Sequence, residues 1–334
     1  MNEKTKFHPK ELIINNAIYF ILLALIIIIG IISPSFFSLD VFRDIFMQSS
    51  VRIVMALGCM FIIISGSADL SGGRMLGLAA LVAGSLAQQA SYTAKFWPQL
   101  PEMPAAVPIL ASMLVGVVFG AFNGWAVSKL RVPAFLATLG SQMILFGVSS
   151  LYFNKAPNNS QPLGSFTEDF SSFGSGSVLE VPYLIIVAAV CLLAVWLLLT
   201  KTCMGKDIFA VGGNPEAARV SGISLFKMQM ITFTLAGLLY GLSGSMEAAR
   251  TGSATSAYGN AYELDAIASC IVGGCSITGG VGTVGGVFAG VIIFNVISYG
   301  LTFIGISPYW QNVVKGLIII GAVALDVRKY ARKD

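Results

Sequence analysis

Apolar segments of membrane-spanning length recur along almost the whole chain, and they constrain the fold more than any other feature. A helix needs about 20 consecutive apolar residues to cross the hydrocarbon core of a bilayer. The ten candidate segments are 15–33, 41–65, 74–91, 105–128, 133–153, 181–200, 226–248, 263–277, 282–304 and 309–327. The eighth, 263–277, is short and interrupted by Gly273 and Gly274. We therefore predict an all-α integral membrane protein with about ten transmembrane segments, one of them interrupted near 263–277.

The composition supports a membrane protein and excludes several other classes. The chain is 56% hydrophobic and only 11% charged, whereas soluble domains carry roughly 25% charged residues. Too few charges are present to cover a water-facing surface. The formal net charge of +4 is spread over loops and tails, so no basic face indicates a nucleic-acid partner. We expect one transmembrane domain over 1–334, embedded in the lipid bilayer.

The positions of lysine and arginine predict which side of the membrane each loop occupies. Cytoplasmic loops carry an excess of these residues. With the N-terminus inside, basic residues concentrate on the cytoplasmic side, and the few outside are Arg43, Lys95, Lys155 and Arg250. The external loop 154–180 instead carries Glu168, Asp169 and Glu180. We therefore predict cytoplasmic N- and C-termini and a large cytoplasmic loop at 201–226.

Glycines recur every fourth residue in three of the apolar segments. Small residues at this spacing let helices approach closely in lipid. The pattern predicts a tightly packed bundle, and a glycine-lined pore is the alternative. The positions are Gly116, Gly120 and Gly124, then Gly237 and Gly241, and finally Gly282, Gly286 and Gly290.

Two short patterns resemble catalytic motifs, but their surroundings argue against an enzyme. Residues 280–285 match GxGxxG, yet the following sequence is apolar and lacks the acidic residue of a dinucleotide site. Residues 241–244 match the GxSG of intramembrane serine proteases, whose serine needs a base. The only histidine, His8, lies outside every span. We expect no catalytic residue, no metal site and no cofactor bound by this chain.

Polar residues at membrane depth are costly, so they are candidates for function. Two interpretations remain open for them. They line a route for a solute, or they form hydrogen bonds between helices. The candidates for the translocation path are Asp69, Asn123, Glu263, Asp265, Asn295, Tyr299 and Trp310.

The polar stretch GGNPEAARVSGIS, residues 212–224, has the pattern of a short capped helix within the loop 201–226. Asn214 is a good N-cap, Pro215 fits the first helical position, and Glu216 suits the positive end of the helix dipole. Gly222 is able to end the helix in the left-handed conformation. The predicted helix, 215–221, presents Ala217, Ala218 and Val220 from the cytoplasmic loop. Such a short helix is marginal alone, so we expect it to dock against a partner. A loop helix that lies on its own bundle is the alternative.

At this helix the chain resembles a known family. Glu216-Ala217-Ala218-x-x-x-Gly222 is similar to the EAA---G signature of ABC-importer permeases, whose cytoplasmic coupling helix fits a cleft on the ATPase subunit. Thr232, Thr234 and Leu235 replace the I-x-L-P that follows in the wider family. This departure is similar to the divergent EAA region of the monosaccharide-importer permeases. Further stretches resemble that branch: QSSVRIVMALG (48–58), ADLSGGRMLGLAA (68–80), YELDAIASCIVGG (262–274) and SPYWQNVVKGLIIIGAVALDVRKYARK (307–333).

The resemblance implies a function and a set of partners. The chain would be the permease of a bacterial plasma (inner) membrane ABC importer for a monosaccharide, most similar to the galactose and methyl-galactoside branch. It would work with a second copy of itself, an ABC ATPase that binds ATP and Mg²⁺, and an extracytoplasmic sugar-binding protein. The coupling residues it implies are Gly213, Asn214, Pro215, Glu216, Ala217, Ala218 and Gly222. The alternative is a secondary sugar carrier or facilitator without an ATPase.

Overall fold

The computed structural model describes residues 26–331. The first predicted span, 15–33, therefore lies partly outside the described residues, and His8 lies wholly outside them. Described residues begin with a helical stretch over 26–32 and a short 3-10 helix, Pro34–Phe37.

Most of the remaining described residues are helical. The helices are α1 (Leu39–Ile64), α2 (Gly72–Leu86), α3 (Ala106–Ser128), α4 (Ala134–Asn154), α5 (Glu168–Ser175), α6 (Tyr183–Lys201), α7 (Cys203–Gly213), α8 (Pro215–Val220), α9 (Leu225–Thr251), α10 (Tyr262–Val272), α11 (Val284–Phe303) and α12 (Pro308–Ala331). A two-stranded antiparallel hairpin, β1 (Ser177–Val178) and β2 (Val181–Pro182), separates α5 from α6. The helical class is confirmed, and the count of ten spans and the side of the termini stay predictions.

Six helices of the described part are long and apolar enough to cross a membrane: α1, α3, α4, α6, α9 and α11. Two helices at predicted spans are shorter. Helix α2 has 15 residues and α10 has 11, which correspond to about 22 Å and 16 Å at 1.5 Å per residue. Helix α10 ends at Val272, directly before the Gly273 and Gly274 interruption. Neither helix is long enough to cross the hydrocarbon core alone.

Each of the loops 154–180 and 201–226 contains a helix that the sequence did not predict. In 154–180, α5 forms because Phe170 is buried in a small aromatic cluster with Phe166 and Phe173. In 201–226, α7 begins at Cys203 after the N-cap Thr202, whose hydroxyl accepts a hydrogen bond from the Gly205 amide at 3.1 Å. These helices have only 8 and 11 residues, so a search for apolar runs of membrane-spanning length does not detect them.

Glycine spacing produces the most extensive helix contact in the described part, between α3 and α9. A Cβ placed on Gly116 would lie 1.9 Å from the Gly237 carbonyl oxygen, and one on Gly241 would lie 2.4 Å from the Ser112 carbonyl oxygen. Gly290 of α11 meets the Ser269 carbonyl of α10 in the same way, at 2.1 Å. Backbones therefore touch where the sequence places glycine, and the tightly packed bundle is confirmed.

The two short helices begin inside the bundle, next to each other. Gly72, the first residue of α2, lies against the ring of Tyr240, which also lies against Gly58 of α1. Because Gly58 precedes the end of α1 by six residues, α2 starts about 9 Å inside that end. A Cβ on Gly73 would lie 2.2 Å from the Gly259 carbonyl oxygen. Paired interrupted helices of this kind mark the binding region in many transporters.

Candidate functional site

Helix α8 has the capping geometry that its sequence predicts. The Asn214 side chain accepts a hydrogen bond from the Ala217 amide at 3.0 Å, and Pro215 occupies the first turn. The helix ends at Val220, and Gly222 adopts a φ of +86°. The predicted capped helix is therefore confirmed to within one residue.

The side chains of α8 divide between the bundle and the surface. Glu216 and Ala217 are exposed, and Val220 is 86% exposed. Ala218, which we expected on the presented surface, is instead 4% exposed and packs into the main hydrophobic core. The expectation fails for this residue because one side of any helix lying on a bundle must face the bundle. An ion pair between Arg219 and Glu216 lies at the surface, where such pairs contribute little to stability.

Asp69 and Asn123, two candidates for the path, belong to one buried network. The Asp69 carboxylate accepts hydrogen bonds from the Ser71 amide at 2.7 Å and from its hydroxyl at 2.6 Å. Asn123 donates to Ser71 Oγ at 2.8 Å and accepts a hydrogen bond from Ser141. Burial raises the pKa of the Asp69 carboxyl, and the hydrogen bonds from Ser71 partly oppose that increase. The network joins the α1–α2 turn to α3 and α4.

Glu263 of α10 lies at the start of α2. It is 6% exposed, and its Oε1 accepts a hydrogen bond from Gln142 of α4 at 3.4 Å. Its Oε2 would lie 2.0 Å from a Cβ on Gly73 and has no hydrogen-bond partner among the described residues. Next to it, Arg74 donates to the Asn260 side chain at 2.7 Å. The region in which the two short helices begin is therefore polar.

Asp265, on another side of α10, is shared between two cations. Its Oδ2 accepts hydrogen bonds from Arg52 of α1 at 2.7 Å and from Lys315 of α12 at 2.9 Å. Arg52 also stacks over the ring of Tyr262, with 4.2 Å between the guanidinium carbon and the ring centroid. The carboxylate thus links three helices.

A recess of about 320 Å³, including the part open to the surface, adjoins this ion-paired cluster. Two of the predicted path residues, Asp265 and Asn295, line it together with Arg52, Tyr262 and Ser298. Asn295 also donates to Ser49 Oγ at 2.7 Å, so it forms a buried hydrogen bond between α11 and α1. Asn295 therefore connects two helices and also lines the recess.

The structure separates the other two path candidates from these clusters. Tyr299 donates a hydrogen bond to Asp44 at 3.3 Å, and the Trp310 side chain is 66% exposed. Ser243 of the GxSG pattern is fully buried, and its hydroxyl donates to the Val51 carbonyl at 3.2 Å. That serine therefore forms a contact between α9 and α1.

The sequence did not predict several of these polar contacts. Arg52 and Lys315 are far from Asp265 along the chain, and only the fold brings them together. Ser71 and Ser141 are small and common, so nothing in their local sequence distinguishes them from packing residues. Among residues 26–331, no group of three or more His, Cys, Asp or Glu side chains is arranged to hold a metal ion.

Comparison with known proteins gives the family. Residues 41–323 match the family described as branched-chain amino acid transport system / permease component. The chain is 46% identical over 327 residues to the galactose/methyl galactoside import permease of Haemophilus influenzae, covering 97% of each protein. It is 47% identical over 320 residues to the permease of the same description in Escherichia coli K12, covering 95% of each.

More distant relatives include the ribose import permease of Escherichia coli K12. It is 38% identical over 311 residues, which cover 92% of each protein. No solved structure matches the chain. The similarity extends across almost the whole length of these permeases, and they are inner-membrane proteins. The chain therefore belongs to the family of import permeases described as branched-chain amino acid transport system / permease component, and it is a multi-pass protein of the inner membrane.

Proposed function

We propose that this chain is the transmembrane subunit of an ATP-driven monosaccharide importer, with galactose or a methyl galactoside as its solute. The observation that carries the proposal is the 46–47% identity to galactose/methyl galactoside import permeases over at least 95% of the chain. The ribose import permease of Escherichia coli K12 is less similar, at 38%, which favours galactose over ribose. ATP and Mg²⁺ would bind to a partner ATPase, and this chain would supply the route and the mechanical coupling.

Helix α8 would dock on that ATPase. The exposed Glu216 and Ala217 form a small surface that is held in place by the Asn214 cap and by burial of Ala218. Small side chains permit close approach of a partner, whereas a bulky one would separate the two surfaces. The remaining residues of the coupling set, Gly213, Pro215 and Gly222, bound the helix at its two ends.

The solute route would pass along α2 and α10, between this chain and a second copy of it. Arg74 and Gln142 are partly exposed and Asn260 is exposed, all near the inner ends of the two short helices. Such groups do not face lipid at membrane depth, because burying them there is costly. A water-filled route or a second subunit is the environment that satisfies them. Hydroxyl groups of a sugar would find amide, carboxylate and guanidinium partners at this surface.

Asp69, Asn123, Glu263, Asp265 and Asn295 would then support the route, mainly by fixing the helices that border it. Tyr299 and Trp310 would contribute only from the outer part of α11 and the start of α12. An extracytoplasmic sugar-binding protein would deliver the solute. Closure of the ATPases would draw the two copies of α8 together, so that the route opens to one side at a time.

The test is co-purification of the chain with its ATPase, followed by hydrolysis and uptake in liposomes with galactose and the binding protein. We expect stable association and hydrolysis stimulated by the loaded binding protein. Uptake without any ATPase would overturn the proposal in favour of a secondary carrier or facilitator.

Ala217→Arg tests the docking surface, and Ala90→Arg is its matched control. Both alanines are exposed, so the same bulk and charge are added without filling a core. We expect both variants to insert in the membrane, with uptake abolished only in Ala217→Arg. Normal uptake by Ala217→Arg would remove the docking role of α8.

A further inference from the structure

Three connections of the chain meet at Gly212, near the end of α7 and three residues before α8. A Cβ on Gly212 would lie 1.7 Å from the Ile64 carbonyl oxygen at the end of α1, and 2.7 Å from the Gly280 amide nitrogen. Both distances are far below ordinary van der Waals contact, so no side chain fits there. At the adjacent Gly213, a Cβ would have no atom of the described residues within 4 Å.

The α10–α11 connection forms the other half of this contact. A Cβ on Gly279 would lie 2.6 Å from the Gly212 carbonyl oxygen and 2.8 Å from the Gly66 Cα. The Gly280 amide donates a hydrogen bond to the Ile64 carbonyl at 2.8 Å. We call these residues, Gly66, Gly212, Gly279 and Gly280, the glycine junction. Its backbones touch directly.

The junction is firmly attached to α8 on one side. The Asn214 amide donates to the Ala210 carbonyl of α7 at 3.0 Å, and the Ala218 amide donates to the Asn214 carbonyl at 3.0 Å. Because Asn214 is bonded to both helices, a displacement of α8 carries the end of α7 with it.

The junction is equally well attached to the elements that border the proposed route. On the α10–α11 side, the Cys275 amide donates to the Cys270 carbonyl of α10 at 2.8 Å, and the Thr283 hydroxyl caps α11. On the other side, Gly66 begins the turn that carries Asp69 into the bundle and ends at α2. A displacement of the Gly212 backbone therefore displaces the connections to both short helices.

We propose that Gly212 is a positioning residue for transport, transmitting movement of α8 through the glycine junction to the α1–α2 turn and the α10–α11 connection. This inference rests on the proposed function, since it requires that an ATPase move α8. A methyl group at Gly212 would separate the three backbones and weaken transmission, without altering the exposed surface of α8.

The experiment compares Gly212→Ala with Gly285→Ala in liposomes that contain the complete importer with its ATPase. Gly285 is also a helical glycine, and a Cβ there would have no atom of the described residues within 4 Å. ATP hydrolysis and galactose uptake are both measured, and their ratio is the readout. In Gly212→Ala we expect hydrolysis to continue while the ATP consumed per sugar rises by roughly tenfold or more, since misplacement by about 1 Å far from a reaction can cost on the order of 100-fold. Gly285→Ala should keep the wild-type ratio.

A second pair of variants, Gly280→Ala and Gly274→Ala, alters the glycine junction from the α10–α11 side. It tests the proposal even if Gly212→Ala does not insert in the membrane. Gly280→Ala would place a Cβ 2.7 Å from the Gly213 Cα, whereas Gly274→Ala meets no described atom within 4 Å. Both positions have positive φ, +71° and +87°, so backbone strain is matched. We expect the ATP-to-sugar ratio to rise only in Gly280→Ala.

The outcomes separate the junction from the function on which it rests. Failure of the wild-type chain to associate with its ATPase would reject the proposed function. If the wild-type chain couples hydrolysis to uptake, and Gly212→Ala and Gly280→Ala both keep its ATP-to-sugar ratio, the role of the glycine junction is rejected. The proposed function then stands. A purely structural role is indicated if hydrolysis and uptake fall in the same proportion, and this result also rejects the proposal.

Discussion

Asp265 of α10 and Arg52 of α1 form an ion pair with 2.7 Å between Oδ2 and Nη1. The same carboxylate oxygen is paired with Lys315 of α12 at 2.9 Å. All three side chains are only about one-fifth exposed. One acidic residue therefore holds a half-length helix to two longer ones, next to the recess that Asp265 helps to line.

Asp265→Asn should destabilise the protein and loosen α10. Removing one partner from a fully buried pair costs roughly 3–5 kcal/mol. Because these side chains are partly exposed, we expect about 2 kcal/mol, after allowing for solvent screening. The loss appears as a lower Tm of the purified protein in detergent.

The control is Asp169→Asn, which changes an exposed acidic residue in the first turn of α5 and should leave the Tm nearly unchanged. Combining Asp265→Asn with Lys315→Gln measures the pair itself, because the effects of two coupled residues are not additive. Strict additivity in that double variant would argue against the ion pair.

The α3–α9 contact predicts opposite effects for two glycine substitutions. Gly116→Ala inserts a methyl group 1.9 Å from the Gly237 carbonyl, and overpacking of this kind costs about 1–3 kcal/mol. Gly147→Ala in α4 meets no described atom within 4 Å, and alanine favours a helix over glycine by up to about 1 kcal/mol. Thermal unfolding should show a lower Tm for the first variant and an equal or higher Tm for the second. An equal change in Tm in both variants would show that the glycine at position 116 has no packing role.

The Asp69–Ser71–Asn123–Ser141 network predicts a cost for Asn123→Ala. The substitution leaves two buried hydroxyl groups without their amide partner, which costs about 1–3 kcal/mol. Ser112→Ala on the same helix is the control, because Ser112 is equally buried but donates only to the Ile109 carbonyl of its own helix. Such bonds contribute little to a helix. Equal Tm values for the two variants would contradict a stabilising network.

The sequence predicted the helical class and the capped helix α8 because each depends on local composition. Apolar length identifies spans, and Asn214-Pro215 with Gly222 is a local start and stop signal. The partners of Asp265 and the burial of Ala218 depend on which helices lie side by side. Gly212, Gly66 and Gly279 are separated by more than 60 residues along the chain, and only the folded structure shows that they touch. Glycine alone does not reveal which backbone it approaches.

Asn214→Ala should weaken α8 and, under the proposed function, its docking. The variant loses the side-chain bond to the Ala217 amide, and loss of an N-cap costs about 1 kcal/mol. A six-residue helix has few bonds of its own to offset that loss, so hydrogen–deuterium exchange of the α8 amides should accelerate several-fold. Asn214→Asp keeps an acceptor at the cap and should preserve slow exchange.

Because Ala218 anchors only one side of the helix, the exposed side should lose order first. Retention of the ATPase during purification should therefore fall in Asn214→Ala but not in Asn214→Asp. Unchanged exchange in Asn214→Ala would mean that burial of Ala218 alone maintains the helix, and the cap would then have no part in coupling.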